Sequence, residues 1–277
     1  MDILYVNSNN KQIDLGKDYL MSRNTTLLDY EWETTTKNTF HPMISKFTKS
    51  MVKKNFTLNI RASSKKDFLQ KYNSLISIFE EDIDSVSPGT LIVNGYKLNC
   101  YVIAKKISSW YDAANYVACD FTAISEDGKW HMDVQQNFGT GVDIPSDYGL
   151  DFPYDFPYDF GLFNMENIFI SGSTIPFNFT MTFMGPWENP SVIAGGHLYR
   201  VFTTLEPNEY LTIDSYNKTV IKTKKFGEKK NEFHKRDRNN YIFEKIKCSE
   251  GRSKVICDKG KNLSITAHLE RSEPLWI

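Results

Sequence analysis

The side chains that could do chemistry in this chain are scattered. His131 and Asp133 sit two apart in KWHMDVQQNF, a run that reads as a strand, so both project from one face. An imidazole and a carboxylate so placed are a minimal metal pair, although the polar face of an ordinary strand accounts for them equally well. Glu80, Glu81, Asp82 and Asp84 form an acidic run that could supply paired carboxylates for proton transfer. Its place at the end of a helix makes a solvated surface run the plainer reading. His41, His197, His234 and His268 are far apart in sequence. Cys100, Cys119, Cys248 and Cys257 lack the close pairing of zinc sites and read as reduced, structural thiols. The sequence has no G-x-S-x-G, H-E-x-x-H, P-loop or G-x-G-x-x-G. The expectation is a non-enzyme with no catalytic residues, no metal and no cofactor.

Residues 218–238, KTVIKTKKFGEKKNEFHKRDR, hold nine Lys or Arg against Glu228, Glu232 and Asp237. Lys224, Lys225, Lys229, Lys230, Lys235, Arg236 and Arg238 are candidates for a charged protein contact. A solvated hairpin and loop is the simpler alternative, since lysines on an edge strand also block unwanted pairing. The formal net charge of −1 supplies no field to recruit nucleic acid or an anionic membrane. Residues 167–187 are uncharged and long enough to cross a bilayer. However, Phe177, Phe179, Met181 and Phe183 alternate with Asn178, Thr180 and Thr182, which is the period of a half-buried strand. The N-terminus shows no charged segment followed by an apolar run, so no secretory signal is expected.

The elements that must position these groups are mostly strands. In the first half, 25–36 and 48–60 are rich in Thr, aromatic and β-branched residues. A helix is expected over about 64–82, capped by Ser63 or Ser64, with Phe68, Leu69, Tyr72, Leu75, Ile76 and Phe79 on its apolar face. Asn94-Gly95 between two apolar runs predicts a hairpin. Strands follow over NYVACDFTAIS and, after a turn at Glu126-Asp127-Gly128, over KWHMDVQQNF. The second half reads as strands at 162–170, 174–184, 197–205, 209–214, 218–225, 240–247, 253–258 and 262–270. Short, evenly spaced strands are the pattern of a sandwich or jelly roll. The fold class is therefore mainly β, with one α-helix in the N-terminal domain. The expected domains are 1–145 and 162–277, joined by a Pro- and Asp-rich linker over 146–161.

That linker contains DFPYDFPYDFG. Pro153 and Pro157 exclude a helix and push the preceding residues toward extended geometry. In an extended chain Phe152, Tyr154, Phe156, Tyr158 and Phe160 line one side, with Pro153, Asp155, Pro157 and Asp159 on the other. The stripe could pin the chain to its own domains, dock on a neighbouring subunit, or form an open aromatic platform for sugar. An exposed stripe of this size calls for a cover.

The repeat at this position resembles the distal tail (Dit) proteins of long-tailed, non-contractile bacteriophages. So do YLTID followed by YIFEKI, and the closing Arg271, Ser272, Glu273, Pro274 and Trp276. The resemblance implies an N-terminal belt domain forming a hexameric ring and an outer, galectin-like or jelly-roll sandwich. It implies a virion structural protein of the tail tip, of phage or prophage origin, made in the host cytoplasm. Its partners would be the tail-tube protein, the tail-associated protein and a receptor-binding protein or host-wall glycan, with no nucleic acid and no membrane span. The competing reading is a carbohydrate-binding adhesin or receptor-binding module acting through the C-terminal sandwich, with Trp187, His197 and Arg200 as candidate contributors. Replacing Phe152, Phe156 and Phe160 with Ser is expected to loosen the domain arrangement or the ring while each domain still folds. Small-angle scattering and oligomer mass would register the change; if both stay constant, the stripe serves neither contact.

Overall fold

The structure, a computed structural model, describes residues 3–22, 25–37, 41, 43–139, 167–258 and 261–274. Two compact units emerge, residues 1–132 with 270–277, and residues 133–269. The expected division, by contrast, falls at 145 and 162. The expected linker lies wholly within 140–166, outside the described residues.

The first unit contains strands β1 (Ile3–Val6), β2 (Gln12–Asp14), β3 (Leu20–Met21), β4 (Glu33–Lys37), β5 (Met43–Thr48), β6 (Val52–Arg61), β7 (Gly89–Val93), β8 (Tyr96–Tyr111), β9 (Tyr116–Ser125) and the start of β10 (Trp130–Phe138). Helix α1 (Lys65–Asp84) lies between β6 and β7 in the chain. The antiparallel order is β2-β1-β7-β8-β9-β6-β3. Asn94 and Gly95 make the β7–β8 turn with φ of 49° and 82°, the positive pair that the dipeptide predicts. β8 pairs with β7 up to Cys100 and with β9 from Tyr101 onward. Bulges at Val102/Ala104 and Ile107/Ser109 interrupt its register with β9, and a bulge bends its strand.

Ser64 caps α1 by accepting the Asp67 N–H at 3.2 Å. Phe68, Leu75, Ile78 and Phe79 are buried, with Phe79 edge-on to Phe121 of β9 at 5.4 Å. Tyr72 and Ile76 pack at the margin of this core. Leu69, expected on the buried face, is 45% exposed. The face is centred further round the helix, on Leu75, Phe79 and Asp82. Two of the sequence-predicted strands also differ. In 25–32 the Thr25 hydroxyl accepts the Leu27 N–H and donates to the Asn55 carbonyl, and Asp29 N–H closes a turn on Thr26. Local capture of the backbone by Thr thus replaces a ladder. In 240–247 the Glu244 N–H closes a turn on the Tyr241 carbonyl, and the segment makes a single bridge from Ile246 to Phe177.

The second unit takes the rest of β10 and then β11 (Asn167–Ile170), β12 (Asn178–Met184), β13 (Trp187–Glu188), β14 (Ser191–Ala194), β15 (His197–Arg200), β16 (Thr204–Leu205), β17 (Tyr210–Asp214), β18 (Thr219–Thr223), β19 (Lys229–Asn231), β20 (Arg252–Cys257) and most of β21 (Asn262–Arg271). One layer runs β19-β18-β17-β12-β21 and the other β11-β20-β14-β15. Phe179 on the first meets Tyr199 on the second at 5.0 Å, edge to face. The alternation read at Phe177–Phe183 is real, with Phe177, Phe179, Met181 and Phe183 all buried. No helix among the described residues is long and apolar enough to cross a membrane. At the β11 edge, the Gln136 side chain donates to the Ile168 carbonyl at 2.8 Å and accepts the Ile170 N–H at 3.2 Å. The fold is mainly β, as expected from the sequence.

Leu75→Ala is predicted to cost about 2–5 kcal/mol, whereas Leu69→Ala should stay within about 0.5 kcal/mol. Urea unfolding of the two variants checks this, and equal losses would mean the helix buries another face.

Candidate functional site

Each candidate for chemistry turns out to be engaged in structure. The acidic run is solvated at Glu80 and Asp84, which are exposed, but not at Asp82. Asp82 is fully buried and accepts the Tyr5 hydroxyl at 2.5 Å and the Ser8 N–H at 2.7 Å. Burial, then the hydrogen bond to Asp82, pushes the Tyr5 phenol far above its ordinary pKa, so it remains a donor. Glu81 accepts from Asn7 at 2.7 Å and Asn9 at 3.3 Å and pairs with Lys11. The helix end therefore clasps the β1–β2 turn.

His131 and Asp133 do not act together. His131 Nε2 pairs with Asp127 Oδ2 at 2.7 Å, back across the preceding turn. Asp133 Oδ1 pairs with His268 Nδ1 at 2.7 Å, and His268 Nε2 meets the Thr180 hydroxyl at 2.8 Å. The two lone carboxylate–imidazole contacts are strand-surface polar links. No two of the four cysteines are bridged, and burial pushes the Cys100 thiol up to about 12, where it is unreactive.

The basic stretch forms the β18–β19 hairpin and the loop after it. Four of its cations spend their charge locally: Lys222 on Glu209 at 2.6 Å, Lys224 on Glu228 at 2.9 Å, Lys230 and Lys235 on the buried Glu232 at 3.1 and 2.9 Å. Burial raises the Glu232 carboxyl, but the two lysines outweigh it and hold the pKa below the ordinary value. Arg236 stacks on the Phe233 ring at 3.9 Å and donates to its carbonyl. Lys225, Lys229 and Arg238 remain outward, and the hairpin tip presents Phe226, 93% exposed, with Lys225 5.8 Å from its ring. The surface is an aromatic knob with a few cations, too small for a nucleic-acid groove.

Trp187, His197 and Arg200 do not assemble a sugar site. Trp187 is buried against Phe183 and donates its indole N–H to Asp258 at 3.1 Å. His197 contacts the Tyr241 carbonyl at 3.0 Å, and Arg200 pairs with Asp237 at 2.7 Å. In the C-terminal motif, Arg271 Nε donates to the Glu273 carbonyl at 3.4 Å and Pro274 is buried; Trp276 lies outside the described residues. Glu273 lines a cleft of about 1050 Å³ in the first unit, with Leu20, Met21, Leu28, Asp29 and Tyr30. Phe152, Tyr154, Phe156, Tyr158 and Phe160 also lie outside the described residues.

A surface that sequence reasoning missed is the β4–β5 ribbon. The two strands pair only with each other among the described residues, and Met43, Ile44 and Phe47 are exposed. Its base is fixed by Lys49, whose ammonium sits 5.3 Å from the Tyr30 ring and 5.0 Å from the Trp32 ring and donates to the Gly128 carbonyl. The signal was present in the Thr-rich run beside an apolar MISKF, which cannot form a core alone.

No protein-family model matches the sequence, and no curated protein matches it. Among solved structures, the chain is similar to the Dit protein of phage SPP1, described as a paradigm of the hub adsorption apparatus in phages infecting Gram-positive bacteria. The TM-score is 0.58 at 7% identity, covering 96% of this chain and 99% of that one. Two structures of the phage p2 baseplate in its activated conformation, with strontium and with calcium, give TM-scores of 0.48 and 0.46 at 13% and 11% identity. They cover 99% and 96% of this chain and 99% and 97% of theirs. The fold implied by the sequence resemblance is the fold present.

The turn at Asp127 makes stability depend on pH. The hydrogen bond to Asp127 holds the His131 imidazole above its ordinary pKa, against the effect of burial. Burial raises the Asp127 carboxyl, but its bonds to His131 and the Lys129 N–H leave it lowered. The His131 contribution is complete below about pH 6.5 and is lost as pH rises through the raised value; the Asp127 contribution is lost as pH falls below about 4. His131→Gln is predicted to remove the upper limb, so Tm curves of the two proteins should converge toward about pH 9. Parallel curves would contradict the assignment.

Proposed function

We propose that this protein is the distal tail hub of a long-tailed, non-contractile phage or prophage: a non-enzymatic subunit that closes into a ring of six at the tail tip. The ring would join the tail tube to the tail-associated protein that leads to the host. The observation that carries this reading is the agreement with SPP1 Dit over 96% and 99% of the two chains, since it spans both units rather than one common sandwich. In this reading the first unit is the belt and the second the outer sandwich. The aromatic segment from Phe152 to Phe160 serves as their connector, and the Phe226 tip with Lys225, Lys229 and Arg238 serves as a contact for a receptor-binding protein.

The ring reading also accounts for the β4–β5 ribbon. An isolated two-stranded ribbon is marginally stable in water and gains by being covered. A cyclic ring joins two different patches of each subunit. The ribbon offers Met43, Ile44 and Phe47; a second apolar patch on the same unit lies on β8, where Ile103, Ile107, Trp110 and Tyr111 are exposed. Such surfaces are hazardous on a monomer and ordinary at a subunit contact.

Light scattering after size-exclusion chromatography tests the proposal. The wild-type chain should assemble to six times its 32.1 kDa mass, alone or with the tail-tube protein. Met43→Ser with Phe47→Ser should yield a monomer of unchanged circular dichroism. A wild-type chain that stays monomeric at micromolar concentration under both conditions would contradict the ring.

A further inference from the structure

The pattern Ile-Ser-x-aromatic occurs on two bulged strands of the first unit. ISKF, residues 44–47, lies on β5, and ISSW, residues 107–110, lies on β8. In each the serine is the extra residue of the bulge. Lys46 pairs with Thr35 and Ile44 with Thr36, leaving Ser45 between them. Ile107 pairs with Cys119 and Ser109 with Ala118, leaving Ser108. In each the serine hydroxyl donates across the ladder, Ser45 to the Thr35 carbonyl at 2.9 Å and Ser108 to the Ala118 carbonyl at 3.1 Å. Residues three apart on a regular strand point to opposite faces. The extra residue cancels that opposition. Ile44 and Phe47 therefore share one face of the ribbon, and Ile107 and Trp110 share one face of β8.

Charge separates the faces further. On the ribbon, register places Thr34 and Thr36 beside Phe47 and Ile44, while Glu33, Lys37 and Lys46 fall on the other face with Met43. The Ile44–Phe47 face carries no charge. On β8, Ile107 and Trp110 are partners of the buried Cys119 and Val117, whereas Lys106 lies on the opposite face, paired with Asp120. Lys105 shares the Ile107 face but is drawn onto α1. Its ammonium stands 4.8 Å from the centre of the Tyr72 ring and donates to the Tyr72 hydroxyl at 2.5 Å. The same ring lies 6.5 Å from that of Trp110. Both pairs stay open in the single chain, with Phe47 58% and Trp110 51% exposed. Covering the Ile44–Phe47 face desolvates no ion, whereas covering the other face of the ribbon would desolvate Glu33, Lys37 and Lys46.

We infer that the Ile44–Phe47 face of one copy packs on the Ile107–Trp110 face of the next, the two serine-pinned bulges being the matched halves of one contact between copies of this chain. Each copy carries one of each half, both on the first unit, as a head-to-tail contact requires. Each half sets an aliphatic side chain beside an aromatic one, so Phe47 and Trp110 can meet edge to face. The contact rests on the ring reading proposed above and sharpens it. The ribbon engages through one face only, and the face with Met43, Lys37 and Lys46 stays in water.

Complementary variants of the full chain test the pairing by sedimentation over rising concentration. Ile44→Ser with Phe47→Ser keeps only the β8 half, and Ile107→Ser with Trp110→Ser keeps only the ribbon half. Each variant alone should be monomeric with the circular dichroism of wild type. Mixed in equal amounts, they should form a species of twice the 32.1 kDa chain mass and nothing larger, because one contact uses both remaining halves. Two exposed threonines read the sidedness without touching either apolar pair. Thr36→Lys should abolish assembly, and Thr35→Lys, on the opposite face, should leave it intact. The pairing is overturned if the β8 variant assembles as wild type does, or if the mixture stays monomeric where wild type assembles. Equal loss in Thr35→Lys and Thr36→Lys overturns it too. A two-chain mixture beside a wild-type assembly of some other closed number would refute the ring of six and uphold the contact.

Discussion

A carboxylate shut off from water organises the first unit. An unsatisfied charge in that position would cost several kcal/mol, so the oxygens of Asp82 must be met from fixed directions. They are met by the phenol of β1 and by the backbone of the turn that follows it. One side chain at the end of α1 thereby sets the entry of β1 and the start of β2. It also dictates Gly89: a Cβ there would stand 2.1 Å from the Tyr5 hydroxyl and 2.4 Å from the Asp82 carboxylate. Because Gly89 opens β7, and β7 pairs with both β1 and β8, the same point fixes the centre of the sheet.

Around that fixed centre the molecule distributes its stickiness unevenly. Among the described residues only Trp130 Nε1 and Ser253 Oγ are buried side-chain polar atoms without a partner, and most cations in the basic hairpin are already paired. Among the described residues the exposed apolar surface lies on the ribbon, the outer part of β8 and the Phe226 tip. Nearly neutral overall charge means that neither long-range attraction nor repulsion decides association. Any association would rest on short-range burial, which acts only where shapes fit.

The readable parts of the sequence were those governed by a strict period. Alternation marked β12, the Asn-Gly pair marked the β7–β8 turn, and helical spacing marked α1. Asp82 was misread because its neighbours are acidic, although it lies seven residues after Leu75 and three after Phe79, on the same helical face. Leu69 was misplaced for the opposite reason, hydrophobicity being taken as a sign of position. The false strand at 240–247 came from composition, because adjacent buried residues such as Ile242 and Phe243 imitate a strand until their orientation is known. The contacts of His131 and Asp133 depended on Asp127 and His268, and that of His268 on a residue 135 positions away. No local pattern encodes such a partner.

The amide of Gln136 has a consequence for association between copies of this chain. It offers β11 one donor and one acceptor at strand spacing, as another strand would. Open sheet edges recruit further edges, and subunits concentrated side by side invite fibres. A single side chain that counterfeits a neighbouring strand closes this template from within. Growth by sheet extension is hindered at that edge.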